Sequence, residues 1–314
     1  MPIAIKIDQP VNERGHRADM YGGTVHITTA TTASVAFTEF ARELIGEAFG
    51  GRDPELAQFD LPIDDYATIV RALQDAFLAH PETRRRLQEL LVDRGCDPES
   101  TYFDAPRLRV CTSDDYLGAG FAYAWHPYRD TWRSAPLAQL NHWMPVYEIS
   151  EDNAKALHPE YFNRAVTNDS AHFNHYRHNA ERRAAAASGG RAQVSPLPGL
   201  AEPVDLLAST VLVPPCAGLL EFSGQHLHSS VPNTSGRTRF SIEFGIVDVD
   251  DIRAGLNARN VDGRATGSSI RDFVSAADLS PIPGDVVALF HDGTEASGDL
   301  VYDPPTDTRA PATN

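Results

Sequence analysis

Residues 222–244 bring together side chains suited to bind a metal ion and a carboxylate. His226 and His228 lie in a predicted turn after a short apolar run, and Arg239 and Ser241 lie in the next run. A neutral imidazole is the commonest metal ligand, and an arginine guanidinium pairs with a carboxylate through two hydrogen bonds. Arg239 and Ser241 are two residues apart, so on a strand they share one face. Because neighbouring strands lie about 4.8 Å apart, the spacing predicts one pocket for a metal ion and a small dicarboxylate.

The whole run GLLEFSGQHLHSSVPNTSGRTRFSIEF, residues 218–244, resembles the C-terminal half-motif of the Fe(II)/2-oxoglutarate-dependent oxygenases. It is most similar to the phytanoyl-CoA dioxygenase-like branch, with a glycine turn, an FxG strand end, a histidine, an asparagine and Arg-x-Ser. The resemblance covers roughly residues 101–250. It implies that His228 binds iron, and that Arg239, assisted by Ser241, binds the far carboxylate of 2-oxoglutarate.

The other half-motif of that family is His-x-Asp, which completes a site of two histidines and one carboxylate. Here the candidate carboxylate is Asp130, but Tyr128 stands two residues before it, and the nearest histidine is His126. We predict His126, Asp130 and His228 as metal ligands. Two alternatives stay open: a site with only two protein ligands, and a Tyr128 ligand, which its reference pKa of about 10 disfavours unless a metal lowers it.

Further site residues follow from strand alternation in the segment QLNHW, residues 139–143. Gln139, Asn141 and Trp143 share one face, which we expect to point inward, with the two amides donating hydrogen bonds to 2-oxoglutarate or a substrate. The residues expected to face a substrate are Tyr128, Trp132, Trp143 and His226.

The elements that must position these residues differ along the chain. The first third has helical periodicity at residues 34–49 and 64–79, and a third predicted helix begins at Pro81 and ends at Gly95. From about residue 101, short β-branched or aromatic runs alternate with Gly, Pro and Ser, which indicates a β-sandwich or barrel. The six runs are residues 107–113, 120–126, 137–149, 206–215, 218–224 and 239–249.

The predicted fold is therefore α+β: a double-stranded β-helix, or jelly-roll barrel of the cupin type, buttressed by N-terminal helices. We expect one domain over residues 1–314, with the helical buttress at about 1–100, the barrel core at 101–250 and a loop-rich extension at 251–314. An insertion at 151–203 holds a predicted helix, residues 170–188, that could act as a lid. One further strand is predicted at DVVALF, residues 285–290.

Composition limits the classes of partner. The formal charge is 27 − 43 = −16, which argues against binding nucleic acid. No run approaches the roughly 20 apolar residues of a membrane span, the start lacks a secretory pattern, and three cysteines suggest no disulfide framework, so we expect a cytoplasmic protein.

The resemblance implies an Fe(II)- and 2-oxoglutarate-dependent dioxygenase that uses O2 to hydroxylate or otherwise oxidise a small molecule, in secondary metabolism. The alternative is a barrel with an altered metal site, acting as a non-oxidative enzyme or a small-molecule binding protein. The sequence leaves substrate, pathway and oligomeric state open.

Overall fold

A computed structural model describes residues 4–9, 12–114, 126–188, 193–205 and 208–292 of the chain. Eight α-helices lie in these residues: α1 Glu13–Tyr21, α2 Thr32–Phe49, α3 Ala57–Asp60, α4 Ile63–Ala79, α5 Pro81–Asp93, α6 His175–Ala187, α7 Val249–Ala254 and α8 Gly284–Ala288. The three helices predicted in the first third are confirmed as α2, α4 and α5. Helix α2 starts in a capping box between Thr31 and Ser34 and ends at Gly50, whose φ of 60° is the left-handed conformation that glycine favours.

The strands of the described residues form two sheets. They are β1 Ile5–Ile7, β2 Val25–Thr28, β3 Thr101–Phe103, β4 Arg107–Cys111, β5 Leu140–Pro145, β6 Lys155–Leu157, β7 Thr210–Leu212, β8 Leu219–Ser223, β9 His228–Ser230, β10 Arg239–Asp248 and β11 Val274–Ser275. The large sheet has the order β1-β2-β8-β5-β10-β3-β11, with β4 also paired to β10, and the small sheet has the order β7-β6-β9.

The two faces of the large sheet have different neighbours. On the outer face, alternate residues of β10 such as Phe240, Ile242 and Phe244 join the apolar core that α2, α4 and α5 cover. The inner face meets the small sheet through a second apolar cluster: Val25, Ile27, Trp143, Leu157, Leu212, Leu220 and Phe222. Other inward positions of β4, β5 and β10 carry polar side chains, and these build the site described below.

Several sequence predictions can be compared with these elements. The runs at 107–113, 137–149, 206–215, 218–224 and 239–249 contain β4, β5, β7, β8 and β10. The run at 120–126 lies outside the described residues except for its last position. The N-terminal region adds two strands, β1 and β2, and the segment 151–203 adds β6.

The prediction of a strand at residues 285–290 is wrong, because α8 begins there. Pro283 precedes the helix, Asp285 lies in its first turn, and Val286 is buried, which is a helix start with one apolar face.

The α+β class is confirmed by the large sheet and its covering helices, whereas no ring of strands closes into a barrel among the residues that the structure describes. In the same residues, no helix is both long and apolar enough to cross a membrane.

Candidate metal and carboxylate site

Asp130 and His228 are brought together by a pair of backbone hydrogen bonds between distant segments. The Tyr128 N–H donates to the His228 carbonyl, and the His228 N–H donates to the Tyr128 carbonyl, each at 3.0 Å. The Asp130 N–H also donates to the Gly224 carbonyl at 3.1 Å, which ties Asp130 to the turn that leads to His228. As a result His228 Nε2 lies 3.8 Å from Asp130 Oδ2.

The His228 ring presents the nitrogen that a metal ion requires. Its Nδ1 lies 3.0 Å from the His226 carbonyl oxygen, which only accepts hydrogen bonds, so Nδ1 carries the proton and Nε2 keeps its lone pair. Burial lowers the pKa of His228, although Asp130 opposes this, and the neutral ring is favoured. Bonds of imidazole and carboxylate to a first-row ion such as zinc are about 2.0–2.2 Å long, so the 3.8 Å between the two atoms suits a shared ion.

The Asp130 carboxylate is oriented by the two amides that were predicted to bind 2-oxoglutarate. Asn141 Nδ2 donates to Asp130 Oδ2 at 2.5 Å, and Gln139 Nε2 donates to Asn141 Oδ1 at 2.8 Å. Gly245 allows this packing, because a Cβ atom there would come within 3.0 Å of the Gln139 side chain. Asn141 therefore contacts the Asp130 carboxylate, and Gln139 contacts Asn141, whereas their predicted contact with 2-oxoglutarate stays a prediction.

The third ligand position is where the chain departs from the His-x-Asp pattern. Among the described residues, which include His126, no group of three His, Cys, Asp or Glu side chains is placed to hold a metal ion, and His126 is exposed. Tyr128 lies beside His228 instead, with 4.4 Å between the ring centroids. The Arg133 guanidinium lies 3.6 Å from the centroid of the Tyr128 ring, and burial raises the pKa of the Tyr128 phenol. The donor set of the described residues thus offers a metal ion two protein ligands, Asp130 and His228.

A second cluster on the same inner face consists of buried donors without partners. Arg239 Nε, Ser241 Oγ and Trp143 Nε1 are all buried and lack a hydrogen-bond partner in the described structure. The rest of the Arg239 head is held firmly: Nη1 donates to the Asn153 carbonyl at 2.7 Å, and Nη2 donates to Ser230 Oγ at 3.3 Å. A buried donor without a partner costs about 1–3 kcal/mol, so three together on adjacent strands indicate a site for an acceptor such as a carboxylate.

Sequence reasoning missed two charged residues beside these donors, Lys155 and Glu243. Lys155 Nζ lies 3.7 Å from Glu243 Oε2, and Arg109 forms an ion pair with Glu243 Oε1. Burial alone would raise the pKa of Glu243, but Arg109 and Lys155 outweigh it and lower that pKa. One signal could have found Lys155: it is one of only two lysines in 314 residues.

Two residues predicted to face a substrate lie in packed surroundings. Trp132 is fully buried with Tyr161 and Leu227, and its Nε1 donates to Asp262 Oδ1 at 2.8 Å. The His226 ring is also fully buried, 4.5 Å from the Phe162 ring, and burial lowers its pKa to about 3. By contrast, Tyr128 and Trp143 lie at the site described above.

The helix predicted as a lid is α6. The Nε2 atom of its first residue, His175, lies 3.0 Å from Asp272 Oδ2. The preceding residue, Asn174, donates a hydrogen bond to Thr266 Oγ1 at 3.0 Å. The start of α6 is therefore tied to the C-terminal segment, and its action as a lid stays a prediction.

Comparisons with known proteins give a limited likeness. No protein-family model matches the chain, and no curated protein matches its sequence. Solved structures that overlap it include the non-heme alpha ketoglutarate dependent epimerase SnoN from nogalamycin biosynthesis, at 11% identity and a TM-score of 0.38 over 75% of this chain and 83% of that one. The non-heme monooxygenase ThoJ overlaps at 11% identity and a TM-score of 0.36, over 76% of this chain and 83% of that one.

EvdO2 from Micromonospora carbonacea var. aurantiaca overlaps at 12% identity and a TM-score of 0.33, over 55% of this chain and 63% of that one. At such scores the overlap is too partial to assign a fold family or an activity to this chain. The functional argument therefore depends on the site itself.

Proposed function

We propose that this chain is an Fe(II)- and 2-oxoglutarate-dependent enzyme that uses O2 to hydroxylate or otherwise oxidise a small molecule. One observation carries the proposal: the Asp130–His228 pair and the partnerless donors of Arg239, Ser241 and Trp143 share one inner surface. A 2-oxo dicarboxylate matches both parts, since its keto-acid end suits a metal ion and its far carboxylate suits the donors. The Arg-x-Ser pattern and its resemblance to the phytanoyl-CoA dioxygenase-like branch support the same assignment.

In this proposal Asp130 and His228 hold the iron, and the third position belongs to His126, to Tyr128 or to water. Bound iron supplies the activation of dioxygen that oxidises 2-oxoglutarate to succinate and carbon dioxide. Burial keeps His228 neutral, its Nδ1–H contact leaves Nε2 free for the metal ion, and Asn141 orients Asp130. Arg239 and Ser241 hold the far carboxylate, and Trp143 Nε1 adds a donor that the sequence motif does not include.

The finer parts of the assignment belong to the same proposal. The two sheets are proposed to be the halves of a double-stranded β-helix in a single domain, and the enzyme to be cytoplasmic. We further propose a small-molecule substrate from secondary metabolism, which binds near Tyr128 and Trp143.

The direct test is anaerobic titration with Fe(II) and 2-oxoglutarate, followed by admission of air and measurement of succinate. We expect stoichiometric binding of both Fe(II) and 2-oxoglutarate, and succinate release.

Arg239→Leu is expected to weaken 2-oxoglutarate binding by about 2–5 kcal/mol, because a charge-assisted contact in a desolvated site is lost. Arg237→Leu is the matched control, since Arg237 is half-exposed and pairs with Glu55 at 3.1 Å. Equal affinities in the two variants would remove Arg239 from the binding site.

A second candidate function is favoured by the missing group of three metal-binding side chains among the described residues. In that case the chain is a small-molecule binding protein or a non-oxidative enzyme. It would bind 2-oxoglutarate without stoichiometric iron and release no succinate. Tyr128→His tests the ligand position, because it restores His-x-Asp: tighter iron binding in the variant supports a pocket with the geometry of the family, and unchanged or weaker binding means that the backbone around Pro127 is rebuilt to present His126.

A further inference from the structure

Lys155 is an unusual residue in this chain. Of the 27 basic residues, two are lysines, Lys6 and Lys155, so 25 are arginines. Lys6 pairs with Asp19 and is about a third exposed, whereas the Lys155 side chain is 8% exposed. A lysine ammonium is a compact, strongly hydrated charge, so burying it requires a function or a partner that offsets the lost hydration.

The small sheet places Lys155 next to the head of Arg239. Strand β6 pairs with β9 so that Lys155 lies opposite Ser230, whose Oγ accepts from Arg239 Nη2. Arg239 Nη1 donates to the carbonyls of Asn153 and Ala154, the two residues just before Lys155. The two cations also lie over one indole: Arg239 Cζ is 5.4 Å and Lys155 Nζ is 5.9 Å from the centroid of the Trp143 ring.

The ammonium of Lys155 has unused donor capacity. Its contact with Glu243 Oε2, at 3.7 Å, is an ion pair but is too long for a hydrogen bond, and the described residues offer no other acceptor to Nζ at hydrogen-bond distance. Glu243 is already paired with Arg109. A single carboxylate is thus shared by two cations, beside three buried donors that have no partner.

We propose that Lys155 is an anion-binding residue that turns from Glu243 to the carboxylate held by Arg239, Ser241 and Trp143. Glu243 is then a resident counter-ion that holds Lys155 while the pocket is empty and competes with the ligand. This inference rests on the proposed function in that the carboxylate is the far end of 2-oxoglutarate. It makes Lys155 a specificity residue, which favours 2-oxo acids with a second carboxylate over those with an alkyl end.

The test measures dissociation constants for three probes on purified protein loaded with Mn(II) without oxygen. The probes are 2-oxoglutarate, glutarate, which lacks the ketone, and 2-oxopentanoate, which has a methyl group in place of the far carboxylate. Lys155→Met is expected to weaken 2-oxoglutarate and glutarate binding roughly 10–100-fold, the size of a lost hydrogen bond to a charged group. Binding of 2-oxopentanoate is expected to stay within about twofold.

Two variants control for structure. Lys6→Met removes the other lysine and is expected to leave all three dissociation constants unchanged. Lys155→Arg keeps the charge and is expected to recover most of the affinity that Lys155→Met loses. A variant that binds 2-oxopentanoate normally has a folded pocket, so a selective loss of dicarboxylates is not a folding defect.

Glu243→Gln tests the competition. It is expected to tighten glutarate binding several-fold when Lys155 is present, and to have no such effect in the Lys155→Met background, where no cation is released to the ligand. Equal tightening in both backgrounds would assign the effect to Arg109 and overturn the proposal. So would unchanged glutarate binding in Lys155→Met.

The outcomes also separate this inference from the proposed function. If the wild-type protein binds glutarate through Lys155 but yields no succinate from 2-oxoglutarate, the anion site stands and the oxygenase assignment fails. If succinate is released while Lys155→Met binds both dicarboxylates normally, the enzyme stands and this inference fails. Absence of binding by all three probes overturns both.

Discussion

A histidine–carboxylate pair lies against each face of the large sheet, and the two pairs differ in their surroundings. On the inner face, His228 and Asp130 lie 3.8 Å apart and the Asp130 side chain is 21% exposed. On the outer face, His142 Nε2 lies 3.2 Å from Glu221 Oε1, and the Glu221 side chain is 2% exposed. Arg94 donates to Glu221 Oε2 at 3.0 Å, and His16 Nε2 lies 3.8 Å from that oxygen.

This difference is the one we expect between a pair that binds a metal ion and a pair that only stabilises packing. Both oxygens of Glu221 already face cationic or imidazole groups, so no coordination site is left for a metal ion. The Asp130 oxygen accepts only from an uncharged amide and lies at an open surface. The outer pair therefore stabilises the packing of α1 on the sheet, and the inner pair is left available for an ion.

The largest contrast is expected when each histidine is removed in turn. His228→Ala should weaken iron binding by more than about 100-fold, since even the loss of a group that only supports a metal ligand costs 10–100-fold. His142→Ala should keep iron and lose about 1–3 kcal/mol of unfolding free energy, because Glu221 loses a buried partner. Metal content and urea unfolding of both variants check this. Full iron occupancy in His228→Ala would make the two pairs equivalent.

Removing the outer carboxylate should act on stability alone. Glu221→Gln leaves the partly buried Arg94 charge without its partner, and such a loss costs at most the roughly 3–5 kcal/mol of a fully buried pair. Burial opposes ionisation of Glu221, but the hydrogen bond from His142 and the charge of Arg94 hold its pKa at about 2, so the pair is ionised at neutral pH. Urea unfolding measures the effect, and iron titration of the folded variant should give the wild-type affinity. Weaker iron binding would show that the outer cluster supports the inner site.

Acid should destabilise the outer cluster before it protonates Glu221. Burial lowers the pKa of His16 to about 4, so between pH 6.5 and 4 the unfolded state binds more protons and stability falls as pH falls. The change should reach at most about 3 kcal/mol over this window. The groups that face His16 are Glu221, His26, Arg94 and His142.

His16→Phe is the variant that tests this assignment, because it removes the titrating ring and keeps the packing volume. Unfolding measured from pH 7 to pH 4 should show a shallower loss of stability than the wild-type protein. The same slope in both proteins would mean that another histidine carries the acid response.

The smallest expected effect concerns orientation of the inner carboxylate. Asn141→Ala removes the amide that donates to Asp130, and should weaken iron binding about 10–100-fold while leaving the ligands themselves in place. Iron titration checks the affinity. Gln139→Ala is the graded comparison, because Gln139 reaches Asp130 only through Asn141, and its effect should be smaller. A larger effect of Gln139→Ala would point to the direct contact with 2-oxoglutarate that the sequence predicts.

Local patterns were sufficient for much of the fold. Helices α2, α4 and α5 follow from apolar spacing and from end signals such as the φ of 60° at Gly50. Polar and apolar residues alternate along β10, which gives its two faces, and the two-residue period of a strand gives the faces of β5. The residues at 285–290 misled the prediction, since a short apolar run suits a strand or a helix and Pro283 favours a helix start.

The site was predictable only where its residues share one segment of sequence. His228, Arg239 and Ser241 lie within 14 residues of one another, so spacing alone brings them together. Lys155 reaches the same surface through the pairing of β6 with β9, and no local pattern indicates that register. Likewise, Tyr128 lies beside His228 because of a backbone bridge between residues that are 100 positions apart, and no local pattern predicts such a bridge.

The position of β10 gives the two parts of the site different mechanical properties. This strand is paired with β5 on one side and with β4 and β3 on the other, so its amides should exchange with solvent only when the whole sheet unfolds. His228 lies instead on the three-residue strand β9, which pairs with β6 on one side and, in the described residues, bridges only to Tyr128 on the other. Local opening of that short strand would move His228 while Arg239 and Ser241 stay fixed, so we expect a ligand to dock at the half held by β10 before His228 closes on it.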